Sequence, residues 1–156
     1  MITLKDIRKP VELEMREFNS RFKSEVSSTI PLLNMVTRFV LRRKGKQMRP
    51  LFVFLSSRLS GQITDASYTA ASLVELMHTA TLVHDDVVDE SNERRGIFSV
   101  NAIWKSKVAV LFGDYLLARG LLLAVESKNY DLLEIVSNAS REMSEGELLQ
   151  IQKSRS

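Results

Sequence analysis

A long stretch without glycine or proline constrains this chain more than any other feature of its sequence. Between Asp65 and Gly96 neither residue occurs, and apolar side chains recur there at steps of three and four. Such steps place apolar residues on one face of an α-helix, whereas a half-buried β-strand would need alternation. The sequence therefore predicts one long helix, capped at its amino end by Thr64 or Asp65.

Similar periodicity runs through the rest of the sequence, so the predicted fold class is all-α. The segment from Leu4 to Val26 predicts an amphipathic helix, ended by Pro31. Further helices are predicted over residues 31–43, 49–60, 101–128 and 131–153. A polar loop is predicted over 91–96, and no segment alternates cleanly enough to predict a strand. Only 6 glycines and 3 prolines occur in 156 residues, which favours helix throughout.

Composition limits the class of protein. A length of 156 residues with 44% apolar side chains suffices for one globular domain with a buried core. The absence of cysteine excludes disulfides and cysteine-ligated metal sites and favours a reducing cytoplasm. The first residues show no signal peptide, which agrees with a cytoplasmic location. A net charge of +3 is too small to indicate a nucleic-acid partner by itself.

One apolar segment approaches the length of a membrane-spanning helix. It extends from Val108 to Val125 but contains Gly113, Asp114 and Arg119. Charged side chains are costly in the interior of a bilayer. We therefore expect a buried helix of the fold and no transmembrane segment.

A dense acidic motif stands at the predicted end of the long helix. Asp85, Asp86, Asp89 and Glu90 place four carboxylates within six residues. Because residues four apart share a helix face, Asp85 and Asp89 should lie together, while Asp86 points about 100° away. Like charges at this spacing repel, which suggests a compensating cation, and Mg²⁺ is suited to one or two carboxylates completed by water and phosphate. A solvated acidic helix end is the alternative for this motif taken alone.

Two basic clusters flank the acidic motif. Arg94 and Arg95 follow it, and a longer cluster covers residues 42–49 upstream. Such side chains commonly bind phosphate groups. A solvated helix end and a patch for nucleic acid or anionic lipid are the alternatives. Phe39 is the only aromatic residue near the upstream cluster, which disfavours nucleic acid.

The helix face that carries Asp85 holds other candidate residues. His78, seven positions earlier, lies within about 20° of Asp85 in projection. It is either a donor facing the metal site or a histidine satisfied within the core. Val74 and Thr81 continue the same stripe, which would line an apolar channel or pack as ordinary core.

Four motifs occur in an order that resembles the amino-terminal half of the trans-isoprenyl (polyprenyl) diphosphate synthases. They are Gly45-Lys46-x-x-Arg49, the segment from Glu75 to Asp89, Arg94-Arg95-Gly96, and Gly113-Asp114-Tyr115-Leu116. The residues of the acidic motif, from His84 to Ser91, are most similar to those of octaprenyl and related long-chain synthases. The resemblance implies an incomplete all-α helical bundle of the isoprenoid synthase type and a homodimer. It also implies Mg²⁺-dependent condensation of isopentenyl diphosphate with an allylic diphosphate, a prenyl transfer.

The resemblance implies roles for individual residues. Asp85 and Asp89 resemble the Mg²⁺ ligands, with Asp86 in support, and no catalytic side chain beyond these ligands is implied. Arg94 resembles the arginine that binds the allylic diphosphate. The residues that resemble the isopentenyl diphosphate pocket are Lys46, Arg49, His78 and Arg95.

Product length is also implied by the resemblance. Short-chain members carry bulky aromatic residues four and five positions before the acidic motif, where they block the cavity. Here those positions are occupied by Thr81 and Ala80. A long-chain product, of the kind used for quinone side chains, is therefore expected.

The chain departs from the family pattern in its length. Family members are roughly twice as long, and their second aspartate-rich motif has no counterpart here. After Glu90 the only aspartates are Asp114 and Asp131. We therefore expect residues 1–156 to be the amino-terminal part of one synthase domain, with little or no turnover alone. A truncated protein or proteolytic fragment is one account of this length, and a natural short subunit of a two-component synthase is the other.

Two rival functions follow from the same residues. His84-Asp85 is similar to the motif of helical metal-dependent phosphohydrolases of the HD type, which need a further histidine well upstream. Only His78 lies upstream, and it is too close. The non-enzymatic alternative is a helical interaction module or regulatory subunit that keeps the motifs without the chemistry.

Overall fold

The computed structural model describes residues 2–42, 45–91, 93–94 and 97–154, and the all-α class predicted from the sequence is confirmed there. The helices are α1 (Leu4–Arg8), α2 (Glu12–Glu25), α3 (Pro31–Arg42), α4 (Met48–Leu59), α5 (Asp65–Val88), α6 (Val100–Glu126) and α7 (Tyr130–Ser154). A short antiparallel ribbon joins α5 to α6, formed by β1 (Glu93–Arg94) and β2 (Ile97–Phe98). The expectation of no strand was wrong at this ribbon, because two residues per strand are too few to show alternation.

The amino-terminal segment differs from the single helix predicted over residues 4–26. A 3₁₀ turn at Lys9–Val11 separates α1 from α2 and contains Pro10. Proline lacks a backbone N–H and its ring clashes with the preceding turn, so a continuous α-helix is interrupted there. Thr3 caps the short α1, since its Oγ1 accepts from the Asp6 N–H at 3.3 Å, and its own N–H donates to Asp6 Oδ2 at 2.9 Å.

Helix α5 forms the centre of the fold. It begins after Thr64, whose backbone N–H donates to Ser67 Oγ at 3.2 Å, so Thr64 and not Asp65 is the cap. Leu73, Leu76 and Val83 are buried, and α4 and α6 pack against this helix. The central position of α5 determines where its acidic carboxyl end lies.

An aromatic cluster fixes α2 and α4 against α5. Phe54 of α4 is fully buried, with ring centroids 6.0 Å from Phe18 and 5.0 Å from Tyr68, both edge-on. Tyr68 donates its hydroxyl hydrogen to Glu17 Oε2 at 3.1 Å, and the Arg21 guanidinium lies 4.2 Å from its ring centroid. Edge-to-face rings stabilise a core beyond the area they bury. The cluster thus fixes α4, which carries Arg49 in its first turn, against α5.

Helix α6 is only partly the buried helix that was expected. Phe112, Leu116 and Ala124 are buried, whereas Leu111 and Leu122 on the other side are exposed. By length and composition alone it is the one helix among the described residues that could cross a membrane, and 33% of its most apolar window is buried. Core helices of soluble proteins pass the same test.

Polar groups of α6 serve the fold directly. Arg119, which argued against a membrane span, donates from Nε to the Glu25 carbonyl at 2.8 Å. The last carbonyls of a helix have no partner within it, so this bond satisfies one at the end of α2. The helix is interrupted at Lys105, where φ is 69°.

Candidate functional site

One face of α5 stays open along the helix. Val74, His78 and Thr81 are half-buried and Asp85 is exposed, whereas Leu76, Ala80 and Val83 are buried on the sides that face other helices. The stripe predicted from the sequence is therefore partly covered up to Thr81 and exposed at Asp85, and its role as a channel lining stays a prediction. It leads along α5 to the acidic carboxyl end.

The acidic motif lies where α5 ends. Asp85 is in the last turn and Asp89 is the C-cap residue, and both side chains are exposed. The Asp89 N–H donates to the Asp85 carbonyl at 2.8 Å, so the two residues belong to the same turn. Asp86 is 5% exposed and has interactions within the protein. The predicted difference between the outward pair and Asp86 is therefore present in the structure.

The electrostatics of this helix end favour a bound cation. The carboxyl end of a helix carries partial negative charge, which disfavours carboxylates, and no basic residue lies in the last turn of α5. Among the described side chains, neither Asp85 nor Asp89 forms an ion pair. Nor do the described residues include a cluster of three or more His, Cys, Asp or Glu that could enclose a metal. Two open carboxylates nevertheless fit Mg²⁺, which is usually held by one or two carboxylates together with phosphate and water oxygens.

The upstream basic residues lie at the start of α4. Lys46 and Arg49 are both exposed, on either side of Gln47. Gln47 adopts the left-handed conformation with φ 50°, which is unfavourable for a residue other than glycine. Its side-chain amide donates to Asn19 Oδ1 of α2 at 2.8 Å. This bond ties the segment that carries Lys46 to α2. The sequence alone gave no reason to single out Gln47.

The second basic cluster is described only in part. Arg94 lies in β1, where it pairs with Ile97 in register, which places its backbone in the ribbon that follows the acidic helix end. Its side chain, Arg95 and residues 43 and 44 of the upstream cluster lie outside the described residues. The diphosphate-binding roles of Arg94 and Arg95 stay predictions.

Glu75 is a further titratable group on α5, one turn before His78. Burial raises the pKa of its carboxyl, and the positive charge of Arg49 partly opposes that effect. The charge at the start of α4 therefore acts on the face of α5 that carries His78. In the sequence, Glu75 was notable only as the first residue of the motif that extends to Asp89.

A pH series on Glu75→Gln tests this assignment. The folded-state pKa lies above the ordinary value of 4.5, so in the interval between the two the folded chain binds more protons than the unfolded chain. Stability of the parent should then fall as the pH rises through this interval, and the glutamine variant should lose less. Thermal unfolding should show a variant advantage that is absent at low pH and grows as the pH rises above 4.5. Parallel profiles for parent and variant would contradict the assignment.

The two positions predicted to control product length differ in exposure. Ala80 is 2% exposed and belongs to the core, whereas Thr81 is half-buried on the open face. The Thr81 hydroxyl donates to the His78 carbonyl at 2.9 Å. Neither side chain is large enough to obstruct the open face of α5.

One feature near the acidic motif had no assigned role in the sequence. His84 Nε2 lies 3.2 Å from the Val110 carbonyl and 3.3 Å from Asp114 Oδ1, both on α6. Gly113 lies between them, and a Cβ atom there would collide with the imidazole ring. A glycine in the middle of a predicted helix is the signal that could have indicated this close approach.

The fold and the site together define a class of protein. The described chain is an all-α bundle whose central helix ends in an outward carboxylate pair, the fold class of the isoprenoid synthases. The chain belongs to the polyprenyl synthetase family, whose model matches residues 30–156. Membership in this family replaces the HD-type phosphohydrolase alternative.

Individual relatives agree in sequence and structure. The all-trans-nonaprenyl-diphosphate synthase (geranyl-diphosphate specific) of Rhodobacter capsulatus is 40% identical over 94% of this chain and 46% of its own length. The octaprenyl diphosphate synthase of Escherichia coli is 34% identical over 96% of this chain and 46% of its own length. The chain thus spans about half the length of the curated relatives it matches.

Solved structures agree with the fold. The crystal structure of a decaprenyl diphosphate synthase from Rhodobacter capsulatus matches with a TM-score of 0.90 and 37% identity, over 96% of this chain and 46% of that one. A polyprenyl synthase from Caulobacter crescentus, complexed with calcium and isoprenyl diphosphate, matches with a TM-score of 0.88 and 36% identity, over 96% of this chain and 45% of that one. The predicted isoprenoid synthase fold is therefore confirmed.

Proposed function

We propose that residues 1–156 form the amino-terminal part of a single polyprenyl synthase domain. The complete domain would condense isopentenyl diphosphate with an allylic diphosphate to make a long polyprenyl diphosphate. The observation that carries this proposal is the outward pair Asp85 and Asp89, without a counter-ion among the described side chains, at the end of an open helix face. The named products of the relatives, from octaprenyl to decaprenyl diphosphate, support the long-chain assignment.

The chemistry of this transfer matches the residues present. The allylic C–O bond breaks to release diphosphate, a C–C bond forms from the alkene of isopentenyl diphosphate, and a proton leaves to the released diphosphate. Mg²⁺, when bound, would neutralise the departing diphosphate and so favour ionisation. Asp85 and Asp89 would hold the ion, and Asp86 would support them. No nucleophilic side chain is needed, because positioning and electrostatic stabilisation supply the catalysis.

The basic residues would divide between the two substrates. Arg94 would bind the allylic diphosphate. The isopentenyl diphosphate site would be formed by Lys46, Arg49, His78 and Arg95. Lys46 and Arg49 are exposed, so their charged groups can reach a ligand, which supports this assignment.

The small residues of α5 bear on product length. Thr81 leaves the open face of α5 without a bulky barrier and Ala80 beside it is small, which supports growth of a long chain along this face. Product analysis of the complete enzyme with a short allylic primer tests this part of the proposal. A product that stops at the length made by short-chain members would contradict it.

The binding function can be tested on this chain directly. Isothermal titration with an unreactive allylic thiodiphosphate should show binding that requires Mg²⁺, while turnover by the chain alone should be little or none. Mg²⁺ without the analogue should bind more weakly, since phosphate oxygens complete its coordination. If no Mg²⁺-dependent binding occurs, the alternative of a regulatory or small subunit without chemistry stands instead.

Assembly and location belong to the same proposal. A homodimer is supported by the exposed apolar side chains of α6 and α7, since large exposed apolar surfaces mark interaction sites. Those on α7 include Ile135, Met143 and Leu148, and that helix has no buried residue. Light scattering by the complete protein tests the dimer. A cytoplasmic location rests on the absence of cysteine and stays a prediction.

A further inference from the structure

His84 occupies a notch in α6 that only glycine leaves open. A Cβ atom at Gly113 would collide with the His84 ring, so the imidazole fills the space of the missing side chain. Glycine weakens a helix interior relative to alanine. Its position in the middle of α6 is explained by the room that the imidazole takes.

A hydrogen bond and a neighbouring carboxylate hold the ring in this notch. Nε2 is 3.2 Å from the Val110 carbonyl oxygen and 3.3 Å from Asp114 Oδ1. The Val110 carbonyl can only accept, so Nε2 carries the hydrogen and donates to it, with the Asp114 carboxylate close beside. Val110 and Asp114 are one helical turn apart, with Gly113 between them. The ring is therefore held across a full turn of α6.

The neighbouring metal ligands need such an anchor. Asp85 and Asp89 are exposed, and none of the described ion pairs involves them. Mg²⁺ demands near-ideal octahedral geometry, so the direction of the turn that carries its ligands matters. His84 directly precedes Asp85, and successive helix residues are separated by about 100°. Fixing the His84 ring on α6 therefore fixes the rotation of the last turn of α5, and with it Asp85 and Asp89.

We propose that His84, seated at Gly113, hydrogen-bonded to the Val110 carbonyl and in contact with the Asp114 carboxylate, is a positioning residue that directs the Asp85–Asp89 pair toward the diphosphate-bound metal. This inference rests on the proposed function for its consequence, because the pair must hold Mg²⁺. Its structural part, the anchoring of the last turn of α5, does not depend on any ligand. The two parts are tested separately.

Two pairs of variants test the ligand-dependent part. His84→Gln keeps an N–H near the position of Nε2, whereas His84→Asn has the same amide one methylene shorter. Gly113→Ala pushes the ring out of the notch, whereas Gly146→Ala makes the same change on α7 where nothing lies within 4 Å. Mg²⁺-dependent affinity for an allylic thiodiphosphate should fall about 10–100-fold in His84→Asn and Gly113→Ala. His84→Gln and Gly146→Ala should retain the parent affinity.

Hydrogen exchange without metal tests the anchoring part. The Asp89 and Ser91 amides donate to the Asp85 and Asp86 carbonyls at 2.8 and 2.9 Å, so their exchange reports on this turn. Both amides should exchange faster in His84→Asn than in His84→Gln. Equal exchange, or equal affinity of these two variants, overturns the inference. If Gly113→Ala does not fold, the His84 pair decides. If the parent does not bind the analogue, the proposed function fails and the exchange comparison alone judges the anchor.

Discussion

Replacing Phe54 with alanine should lower the free energy of unfolding by about 3–5 kcal/mol. The side chain is fully buried and lies edge-on to Phe18 and Tyr68, so the substitution removes apolar contacts and leaves a cavity among three helices. Domain stability is commonly about 5–15 kcal/mol, so this is a large fraction of it. Urea unfolding followed by circular dichroism measures the loss.

Phe52 provides a matched control on the same helix. It is two residues away from Phe54 but 58% exposed. Phe52→Ala should therefore cost less than about 1 kcal/mol. Similar losses of stability for the two variants would contradict the assignment of the core around α4. They would also contradict the inference that this core supports Lys46 and Arg49 at the start of α4.

Replacing Asp85 and Asp89 together with asparagine should weaken Mg²⁺-dependent binding of an allylic thiodiphosphate by about 100-fold or more. The two carboxylates are the anionic oxygen ligands that the proposed site offers. Without metal, the same variant should be more stable than the parent by about 0.3–1 kcal/mol. The reason is that it removes negative charges that repel each other at the negative end of a helix. Titration calorimetry measures the first effect and thermal unfolding the second.

Asp131→Asn is the matched control for this pair. Asp131 is an exposed aspartate in the first turn of α7, where the helix dipole favours a negative charge. Its replacement should leave ligand binding unchanged and slightly lower the stability. The changes in stability should have opposite signs at the two helix ends. That result would separate the loss of a metal ligand from a loss of folding. Unchanged binding in the Asp85 and Asp89 variant would refute the metal assignment.

Helix boundaries were predictable where local chemistry determines them. Thr64 and the absence of glycine and proline set the beginning and length of α5, and Pro31 begins α3. Pro10 also signals the break between α1 and α2, but apolar periodicity continues across it and masks that signal. The ribbon between α5 and α6 could not be predicted, since pairs of two residues carry no periodic signal.

The site was predictable to the extent that it lies on a single helix. Because α5 is regular, spacing alone placed Asp85 and Asp89 together and aligned His78 and Thr81 with them. Contacts between different elements were not predictable in this way. The bond from Gln47 to Asn19 and the seat of His84 at Gly113 each join residues that are far apart in sequence.

The sequence by itself determined the all-α class, the acidic end of α5 and the family to which the chain belongs. These follow from periodicity, capping residues and motif spacing, which act within one helix or one turn. The tertiary structure decided which face of α5 is open, that α6 is buried on one side only, and that His84 is anchored on α6. Those properties depend on how helices pack, and packing is a matter of shape between segments that the linear order of residues does not bring together.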